Sequence, residues 1–373
     1  MNVNNIYFSL KYAILGDIIG FGNGNVEFNF FKNNKINNDK DYQNYLDNNF
    51  TEVHIYNFIN DGGFTKKKLD NLIVSDDSVL MLAVYDGIKS TYKKSVDEIV
   101  ERIKDKLIEY YTNDELKDKR YYGYRTTKSL GRLSDKSIKW DNFSHSDNAG
   151  GCGASMRSMS IGYYLYGEEN RDKLMEVSIQ SSRITHNNGT GYLGGFMSAL
   201  FTALAIEGIK PIDWFDILLS YFENNKIFNF IRLKIQDKFP EDVIKHKNDI
   251  DEFQYYLNYY KKLRLVNFTD TKQSFNRLNV RNIIFHTYFG RKTSYNPGSN
   301  GLDSVLIAYD SILISENNFE KLIYNAMLHA GDSDSTGCIA GALFGAYYGD
   351  VNLPKNYDNF DYDNVLNNLF NQN

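Results

Sequence analysis

The sequence predicts an all-α fold from three observations. Only 4 of the 373 residues are prolines, which break helices. Long stretches, such as 69–108 and 211–266, carry apolar residues at the three- and four-residue spacing of amphipathic helices. Alternating patterns bounded by turn residues, which indicate strands, are scarce. We therefore expect one large orthogonal helical domain spanning residues 1–373, with a loose helical middle between about Pro211 and Lys292.

Composition and charge argue against several classes of protein. A hydrophobic content of 42% with 15% aromatic residues is enough to fill a core. The net charge is −5 and the 42 basic residues are scattered, so we expect no nucleic-acid partner. The only cysteines, Cys152 and Cys338, provide neither a zinc quartet nor a disulfide framework, which fits a reducing compartment. We expect a cytoplasmic monomer.

The apolar stretches indicate core helices instead of membrane spans. The first 24 residues lack a basic leader and are interrupted by Asp17, so a signal peptide or anchor is not predicted. Residues 192–209 and 337–348 are interrupted by polar side chains or too short to cross a bilayer. The asparagine-rich patch at 33–49 is expected to be a surface loop.

The segment GDSDSTG at 331–337 has more oxygen-bearing side chains than a helix start requires. One aspartate or serine would be enough to cap the apolar helix that follows, and capping is the simplest interpretation. Glycines four apart, from Gly337 to Gly349, line one face of that helix and would let a neighbouring backbone approach closely.

A calcium-binding EF-hand loop is a second interpretation of this segment. Asp332, Asp334, Thr336 and Gly337 occupy positions one, three, five and six of such a loop. Position twelve is Leu343, where the loop needs a bidentate glutamate. The EF-hand interpretation is therefore rejected.

A second acidic segment, SDDS at 75–78, also precedes an apolar helix. Either segment alone is adequately explained as an N-cap with acidic residues favoured by the helix dipole. Together they offer four carboxylates and several hydroxyls, the hard oxygen ligands that magnesium prefers. If the fold brings the two segments together, they could hold a pair of ions.

Two further polar loops run into helices of small residues. Residues 148–157, NAGGCGASMR, form a glycine-rich turn predicted to open into a helix that continues through Met159, Ile161 and Tyr164. Such an entry offers backbone N–H groups to an anion, although a tight packing turn explains it equally well. The segment 182–192 contains His186, which is a capping residue, a solvent-facing residue or a ligand contact.

Five segments in this order resemble the ADP-ribosylglycohydrolases, and in particular the ADP-ribosylarginine hydrolase branch. They are GDIIGFGNGNVEF at 16–28, SDDSV at 75–79, GGCGASMRSMSIG at 150–162, RITHNNGTGYLGG at 183–195 and HAGDSDSTGCIAG at 329–341. A further stretch, 295–310, resembles a loop near the ligand, except that Leu302 replaces an expected histidine. The resemblance implies an all-α fold, two Mg²⁺ ions and hydrolysis of the bond between ADP-ribose and a modified protein side chain.

The resemblance also implies roles for particular residues, and the catalytic candidates are Asp76, Asp77 and Glu27. The implied metal ligands are Ser75, Asp76, Asp77, Asp332, Asp334 and Ser335. The implied contacts of ADP-ribose are Asn148, Gly150, Gly151, Cys152, Gly153, Ala154, His186, Ser299, Gly301 and Asp303. One of the carboxylates would accept a proton from the attacking water as the sugar passes through an oxocarbenium-like state.

Two alternatives to an arginine-specific hydrolase remain open at this point. One is an enzyme that cleaves serine-linked or O-acetyl-ADP-ribose, which differs only in the leaving group. The other is a catalytically silent member of the family that binds ADP-ribose, although the intact acidic segments argue against it. Under each reading the partners are ADP-ribose and ADP-ribosylated proteins, without nucleic acid or membrane.

Overall fold

The computed structural model describes residues 3–29, 52–265 and 296–371. Helices dominate these ranges and no β-strand occurs in them, which confirms the predicted all-α class. The asparagine-rich patch, the end of the loose middle segment and Tyr295 lie outside the described residues. The α-helices in chain order are α1 (Val3–Phe21), α2 (Val53–Asn60), α3 (Gly63–Lys66), α4 (Asp76–Lys89), α5 (Val96–Asn113), α6 (Tyr124–Leu133), α7 (Met159–Gly162), α8 (Arg171–Arg183), α9 (Gly189–Ile206), α10 (Trp214–Ser220), α11 (Lys226–Ile235), α12 (Val243–Tyr260), α13 (Asp303–Ser315), α14 (Phe319–Leu322), α15 (Ser333–Tyr348) and α16 (Asp363–Asn371).

The described residues form two compact helical units. The first contains residues 3–29, 52–78, 296–299 and 303–371, and the second contains residues 79–265 and 300–302. Helix α4 begins in the first unit and continues in the second. The boundaries 1–373 for a single domain stay a prediction.

The first unit is built on close packing between α1 and α15, as the glycine spacing predicts. A Cβ added at Gly337 would lie 2.5 Å from the carbonyl oxygen of Gly16, and one added at Gly341 would lie 2.0 Å from that of Tyr12. The hydroxyl of Ser9 donates to the carbonyl of Ala342 at 2.6 Å. Side chains larger than hydrogen would separate the two backbones, so the glycines set how closely the helices approach.

The second unit surrounds the apolar helix α9. This helix is long and apolar enough to cross a membrane by composition alone, and it is the only such helix among the described residues. Most of it is buried within the protein, and it packs against α7, α8 and α12. Its start is capped by Asn188, whose side chain accepts the backbone N–H of Thr190. The structure therefore uses this segment as a core helix.

Candidate active site

The acidic segment 331–337 forms the start of α15, but its first aspartate does not cap the helix. Asp332 is the N-cap residue, and its carboxylate accepts no capping hydrogen bond. Asp332 and Asp334 are nevertheless buried, with 5% and 3% of their surface exposed. Burial of carboxylates is unfavourable unless they gain a partner, so these oxygens have a role other than capping.

The second acidic segment forms the start of α4. The Ser75 hydroxyl accepts the backbone N–H of Asp77 at 3.2 Å and so satisfies one free amide of the first turn. Asp76 and Asp77 follow in that turn, and both are buried. Capping by the serine leaves both carboxylates available for other contacts.

Asp17, on α1, anchors the start of α4. Its Oδ1 atom accepts the backbone N–H of Ser75 at 2.9 Å, and its Oδ2 atom accepts the backbone N–H of Ser78 at 3.0 Å. Burial raises the pKa of this carboxyl, and the bonds from the two serines oppose that rise. The sequence analysis treated Asp17 only as an interruption of an apolar stretch. A carboxylate within an apolar helical stretch was the available sequence signal, because a buried carboxylate needs specific partners, and Asp17 is completely buried.

The fold brings together the two acidic segments, which lie at opposite ends of the sequence. The hydroxyl of Ser335 on α15 acts on the carboxyl group of Asp77 on α4 and opposes the rise in its pKa that burial causes. The charges of Asp76 and Asp332 both act on Asp77, and those of Asp77 and Asp332 act on Asp334. The six residues implied as metal ligands therefore belong to one buried cluster.

Glu27 joins this cluster from the segment that follows α1. The backbone N–H of Phe28 donates to the carbonyl of Gly331 at 3.0 Å, which holds the segment against the start of α15. One carboxylate oxygen each from Glu27, Asp332 and Asp334 lie within 4.8 Å of one another. The charge of Glu27 also acts on Asp334 and raises the pKa of that carboxyl.

The electrostatics of the cluster fit a bound cation. Burial, followed by the charges of Asp332 and Asp76, raises the pKa of Glu27 to about 9. Burial and neighbouring carboxylates also hold the pKa values of Asp77 and Asp334 well above the ordinary range. The Glu27 Oε2 and Asp77 Oδ2 atoms are buried without a hydrogen-bond partner. A divalent cation would satisfy these atoms and compensate the clustered charge.

A chain of hydrogen bonds braces the backbone ahead of α15. The Nδ1 atom of His329 accepts the backbone N–H of Gly331 at 3.1 Å, so the ring proton lies on Nε2. Nε2 then donates to the hydroxyl of Thr336 at 2.8 Å, and that hydroxyl donates to the carbonyl of Ala326 at 2.6 Å. These contacts fix the turn from which Asp332 projects.

Two of the predicted ADP-ribose contacts in the first unit lie in the loop before α13 and at the first residue of that helix. Asp303 is fully buried, and its Oδ2 atom accepts the backbone N–H of Gly298 at 3.0 Å. The Ser299 hydroxyl donates to the carbonyl of Asn296 at 2.8 Å and is partly exposed. The backbone N–H of Asp332 donates to the carbonyl of Pro297 at 2.9 Å. Ser299 therefore lies in a loop that is bonded both to Asp303 at the start of α13 and to the acidic segment, and the contact of these two residues with ADP-ribose stays a prediction.

The glycine-rich loop lies in the second unit and differs from the predicted helix entry. Residues Cys152–Arg157 form a 3₁₀ helix, and only the four residues of α7 follow as α-helix, so the predicted continuation through Tyr164 is wrong. Buried Arg157 braces this tighter turn, because its guanidinium donates to the carbonyl of Gly153 at 2.8 Å. Gly150 accepts the backbone N–H of Gly301 at 3.0 Å, while Asn148 is exposed.

His186 packs directly on the glycine-rich loop. A Cβ added at Gly153 would lie 2.7 Å from the Cε1 atom of His186, so only glycine fits beneath the ring. The Thr185 hydroxyl lies 2.7 Å from Nδ1 of His186 and accepts a hydrogen bond from Arg157 at 2.9 Å. The hydrogen bond between this hydroxyl and Nδ1 sets the ring orientation. Sequence reasoning did not single out Thr185 or Arg157 as positioning residues.

Comparisons with known proteins agree with the resemblance. The sequence matches the ADP-ribosylglycohydrolase family over residues 13–370. It is 33% identical to a putative ADP-ribosyl glycohydrolase of Acanthamoeba polyphaga mimivirus over 368 residues, covering 96% of this chain and 68% of the relative. It is 30% identical to ADP-ribosylhydrolase ARH1 of Dictyostelium discoideum over 398 residues, covering 99% of this chain and 93% of the relative.

A more distant relative and a solved structure extend this similarity. ADP-ribosylhydrolase ARH3 of Xenopus tropicalis is 23% identical over 329 residues, which cover 83% of each chain. A solved ADP-ribosylglycohydrolase-related protein complex has a similar fold, with a TM-score of 0.53 at 15% identity. That similarity covers 98% of this chain and 96% of the other.

Proposed function

Since this chain belongs to the ADP-ribosylglycohydrolase family, which acts on ADP-ribosylated substrates, we propose that it hydrolyses the N-glycosidic bond of ADP-ribosylated arginine in proteins. The products are ADP-ribose and the free arginine side chain. The buried cluster of Glu27, Asp77, Asp332 and Asp334 is the main support, because such a cluster would be unfavourable in a protein that holds no cation. We propose further that the cations are two Mg²⁺ ions and that the protein is a cytoplasmic monomer.

The arginine linkage is favoured by two features. The sequence motifs resemble the ADP-ribosylarginine hydrolase branch. The chain is also more similar to the relative named ARH1, at 30% identity over nearly its whole length, than to the one named ARH3, at 23% over 83%. Cleavage of serine-linked or acetylated ADP-ribose is the alternative, and only the leaving group distinguishes it.

In the proposed mechanism, each group of residues acts on a different part of the substrate. Residues Ser75, Asp76, Asp77, Asp332, Asp334 and Ser335 would hold the ions. Bound Mg²⁺ would supply orientation of the distal ribose hydroxyls and electrostatic stabilisation at the anomeric carbon. The glycine-rich loop would present backbone N–H groups to the diphosphate. His186, positioned by Thr185, would line that side of the substrate.

The proton transfer falls to a carboxylate of the acidic cluster. Water attacks the anomeric carbon, the bond to the guanidine nitrogen breaks, and a carboxylate accepts the proton of the water. Glu27 is suited to this role because its Oε2 atom has no hydrogen-bond partner. Asp76 and Asp77 are the other candidates. The substrate's guanidinium departs as a neutral guanidine, which then takes the water's proton from the carboxylate, so that the base is regenerated.

The decisive experiment supplies arginine-, serine- and O-acetyl-linked ADP-ribose with and without Mg²⁺ and measures free ADP-ribose. We expect the arginine linkage to be cleaved much faster than the other two, and only with the cation. Equal rates on arginine and serine linkages would place the chain outside the arginine branch. Binding of ADP-ribose without turnover of any substrate would support the catalytically silent alternative.

The role of the glycine-rich loop is tested separately by ligand stabilisation. ADP-ribose should raise the melting temperature of the protein, and Gly153→Val should abolish this rise by displacing His186. Gly131→Ala, where an added Cβ meets no atom within 4 Å, is the control and should retain it. An undiminished rise in folded Gly153→Val protein would remove the loop from the substrate site.

A further inference from the structure

A second group of potential metal ligands lies in the second unit and plays no part in the proposed hydrolysis. It consists of His145, in the loop before the glycine-rich segment, and His246 and Asp249, on α12. One ligand atom from each lies within 4.8 Å of the other two. The two imidazole rings meet edge to face, with centroids 4.9 Å apart. Two imidazoles and one carboxylate are a common ligand set for Zn²⁺ and related ions.

The free nitrogen of His246 is the observation that points to a ligand. His246 is completely buried, and its Nε2 atom has no hydrogen-bond partner. Its Nδ1 atom lies 3.3 Å from the hydroxyl of Tyr192. An unsatisfied buried nitrogen is costly, typically by about 1–3 kcal/mol, and is rare in folded proteins. A metal ion would satisfy it.

The protonation state of His246 suits metal binding. Burial, followed by the charges of Arg183 and His145, lowers the pKa of His246 to about 3. The ring is therefore neutral at physiological pH, which is the form that binds metals. The negative charges of Asp249 and Asp242 act in the opposite sense and would favour a cation beside the ring.

The surroundings of the other two ligands also resemble a metal site. His145 Nε2 lies 2.8 Å from Asp249 Oδ2, and its other nitrogen, Nδ1, lies 3.4 Å from a carboxylate oxygen of Asp147. Metal-binding histidines usually have the second ring nitrogen held by a hydrogen-bond partner, as His246 has in the hydroxyl of Tyr192. A hydrogen bond between His145 and Asp249 would by itself explain that pair, but it leaves His246 Nε2 unexplained.

We propose that His145, His246 and Asp249 bind one divalent transition-metal ion of the zinc class. His246 Nε2, His145 Nε2 and a carboxylate oxygen of Asp249 are the protein ligands, and a water completes the coordination. Zinc with bonds of about 2.0–2.2 Å holds tetrahedral ligand atoms roughly 3.4 Å apart, so the three side chains close in around the ion by small rotations. His145 also lines a cavity of about 310 Å³.

The proposed ion would join two segments of the second unit, and one of its ligands also contacts a third segment. His145 precedes the glycine-rich loop, and Asp249 belongs to α12. Asp249 Oδ2 also accepts the backbone N–H of Gly189 at 2.7 Å, which ties α12 to the start of α9 just after His186. A metal here stabilises the loops on both sides of the glycine-rich turn. The site is structural and independent of the Mg²⁺ chemistry proposed above.

The test measures Zn²⁺ binding under conditions that exclude the acidic cluster. The full chain carrying Asp334→Asn is freed of metal with chelator, supplied with excess Mg²⁺ and equilibrated with Zn²⁺ alone. We expect one Zn²⁺ per chain by metal analysis and a higher melting temperature with Zn²⁺. Co²⁺ in its place should give the visible absorption of a tetrahedral nitrogen and oxygen site.

Two variants locate the site, and a third controls for charge on the same helix. Asp249→Asn and His145→Gln, each in the Asp334→Asn background, should weaken Zn²⁺ binding by at least about tenfold. Mutation of a residue that only hydrogen-bonds to a metal ligand typically causes a loss of this size, so loss of a ligand should cause at least as much. Asp251→Asn removes a partly exposed carboxylate two residues after Asp249 on α12, and this variant should bind Zn²⁺ as tightly as the Asp334→Asn parent does. Absence of bound Zn²⁺ in the parent, or equal binding by the parent and both site variants, would overturn the proposal. If one site variant fails to fold, the other decides.

Discussion

A single oxygen atom of Asp17 accepts two hydrogen bonds from Ser78, one from the backbone N–H at 3.0 Å and one from the hydroxyl at 2.5 Å. The other carboxylate oxygen accepts the backbone N–H of Ser75. One side chain on α1 thus holds the first turn of α4, which carries Asp76 and Asp77. The predicted metal ligands on α4 depend on this contact for their position.

Asp17→Asn should weaken the response to Mg²⁺ as well as the fold. The substitution replaces one acceptor with an NH₂ group that faces the donors of Ser78, which typically costs about 1–3 kcal/mol of stability. Because the start of α4 shifts, the Mg²⁺ concentration for half-maximal turnover should rise by about 10–100-fold. Turnover measured against Mg²⁺ concentration checks this. Lower stability with an unchanged Mg²⁺ requirement would limit Asp17 to a packing role.

Asp334→Asn should separate catalysis from stability. Turnover of the arginine-linked substrate should fall by at least about a hundredfold, equivalent to about 2.7 kcal/mol at the barrier. In chelator the variant should melt at the same temperature as the parent or higher, because one member of a repelling buried cluster is removed.

Paired measurements of turnover in Mg²⁺ and melting in chelator test this expectation. The exposed Asp237→Asn is the matched control and should change neither. If Asp334→Asn melts earlier than the parent yet turns over normally, the acidic segment serves only to start α15.

The metal-free protein should lose stability as pH rises from about 5 to 9. Glu27 has a pKa near 4.5 when unfolded and about 9 in the fold, so the folded state binds more protons between these values. Stability then decreases with pH, by up to about 1.4 kcal/mol per pH unit for one such group. Melting in chelator across this range checks the slope, and saturating Mg²⁺ should reduce it.

Glu27→Gln should flatten the same pH dependence, because its side chain no longer exchanges a proton. Glu252→Gln changes an exposed glutamate and should leave the slope unchanged. A slope that is equal in the parent and in Glu27→Gln would show that Glu27 does not share the buried cluster's charge.

Two glycine-to-alanine substitutions should have opposite effects on stability. At Gly341 the new Cβ would lie 2.0 Å from the carbonyl oxygen of Tyr12, so α1 and α15 must separate, at a cost of about 1–3 kcal/mol or more. At Gly131 on α6 the Cβ meets no atom within 4 Å, and the better helix propensity of alanine should stabilise the fold by up to about 1 kcal/mol. Denaturant unfolding of both variants checks the difference in sign.

The local patterns in the sequence were enough to predict the helical class and the close face of α15. Helical spacing and glycines four apart depend only on nearby residues, and both features are present in the structure. The pairing of segments 75–78 and 331–337 required the resemblance, because no local signal connects them. The 3₁₀ helix after Gly151 was missed because the spacing of apolar residues does not distinguish a short 3₁₀ helix from the start of an α-helix.

Residues that act through distant partners were hardest to predict. Asp17 gains its role from serines on another helix, and His145 meets Asp249 across 104 residues of sequence. Neither contact leaves a periodic pattern, because the side chains meet only once the helices have packed. The sequence signal that these two residues share is weaker than a periodic pattern. Each is a polar side chain, in an apolar helix or in a polar loop, and such a side chain requires a partner once it is buried.

The close pairing of α1 with α15 also has a consequence for how the chain is made. Ser9 and Ala342 are in contact but 333 residues apart, so at about 5–20 residues per second a ribosome needs roughly 20–60 s to deliver the second partner. During that interval α1 has an apolar face without its partner helix. Asp17 on α1 and the whole of α4 have then been synthesised, whereas Asp332 and Asp334 have not. The acidic cluster is therefore among the last features to assemble, and a chain released before α15 is synthesised lacks two of its carboxylates.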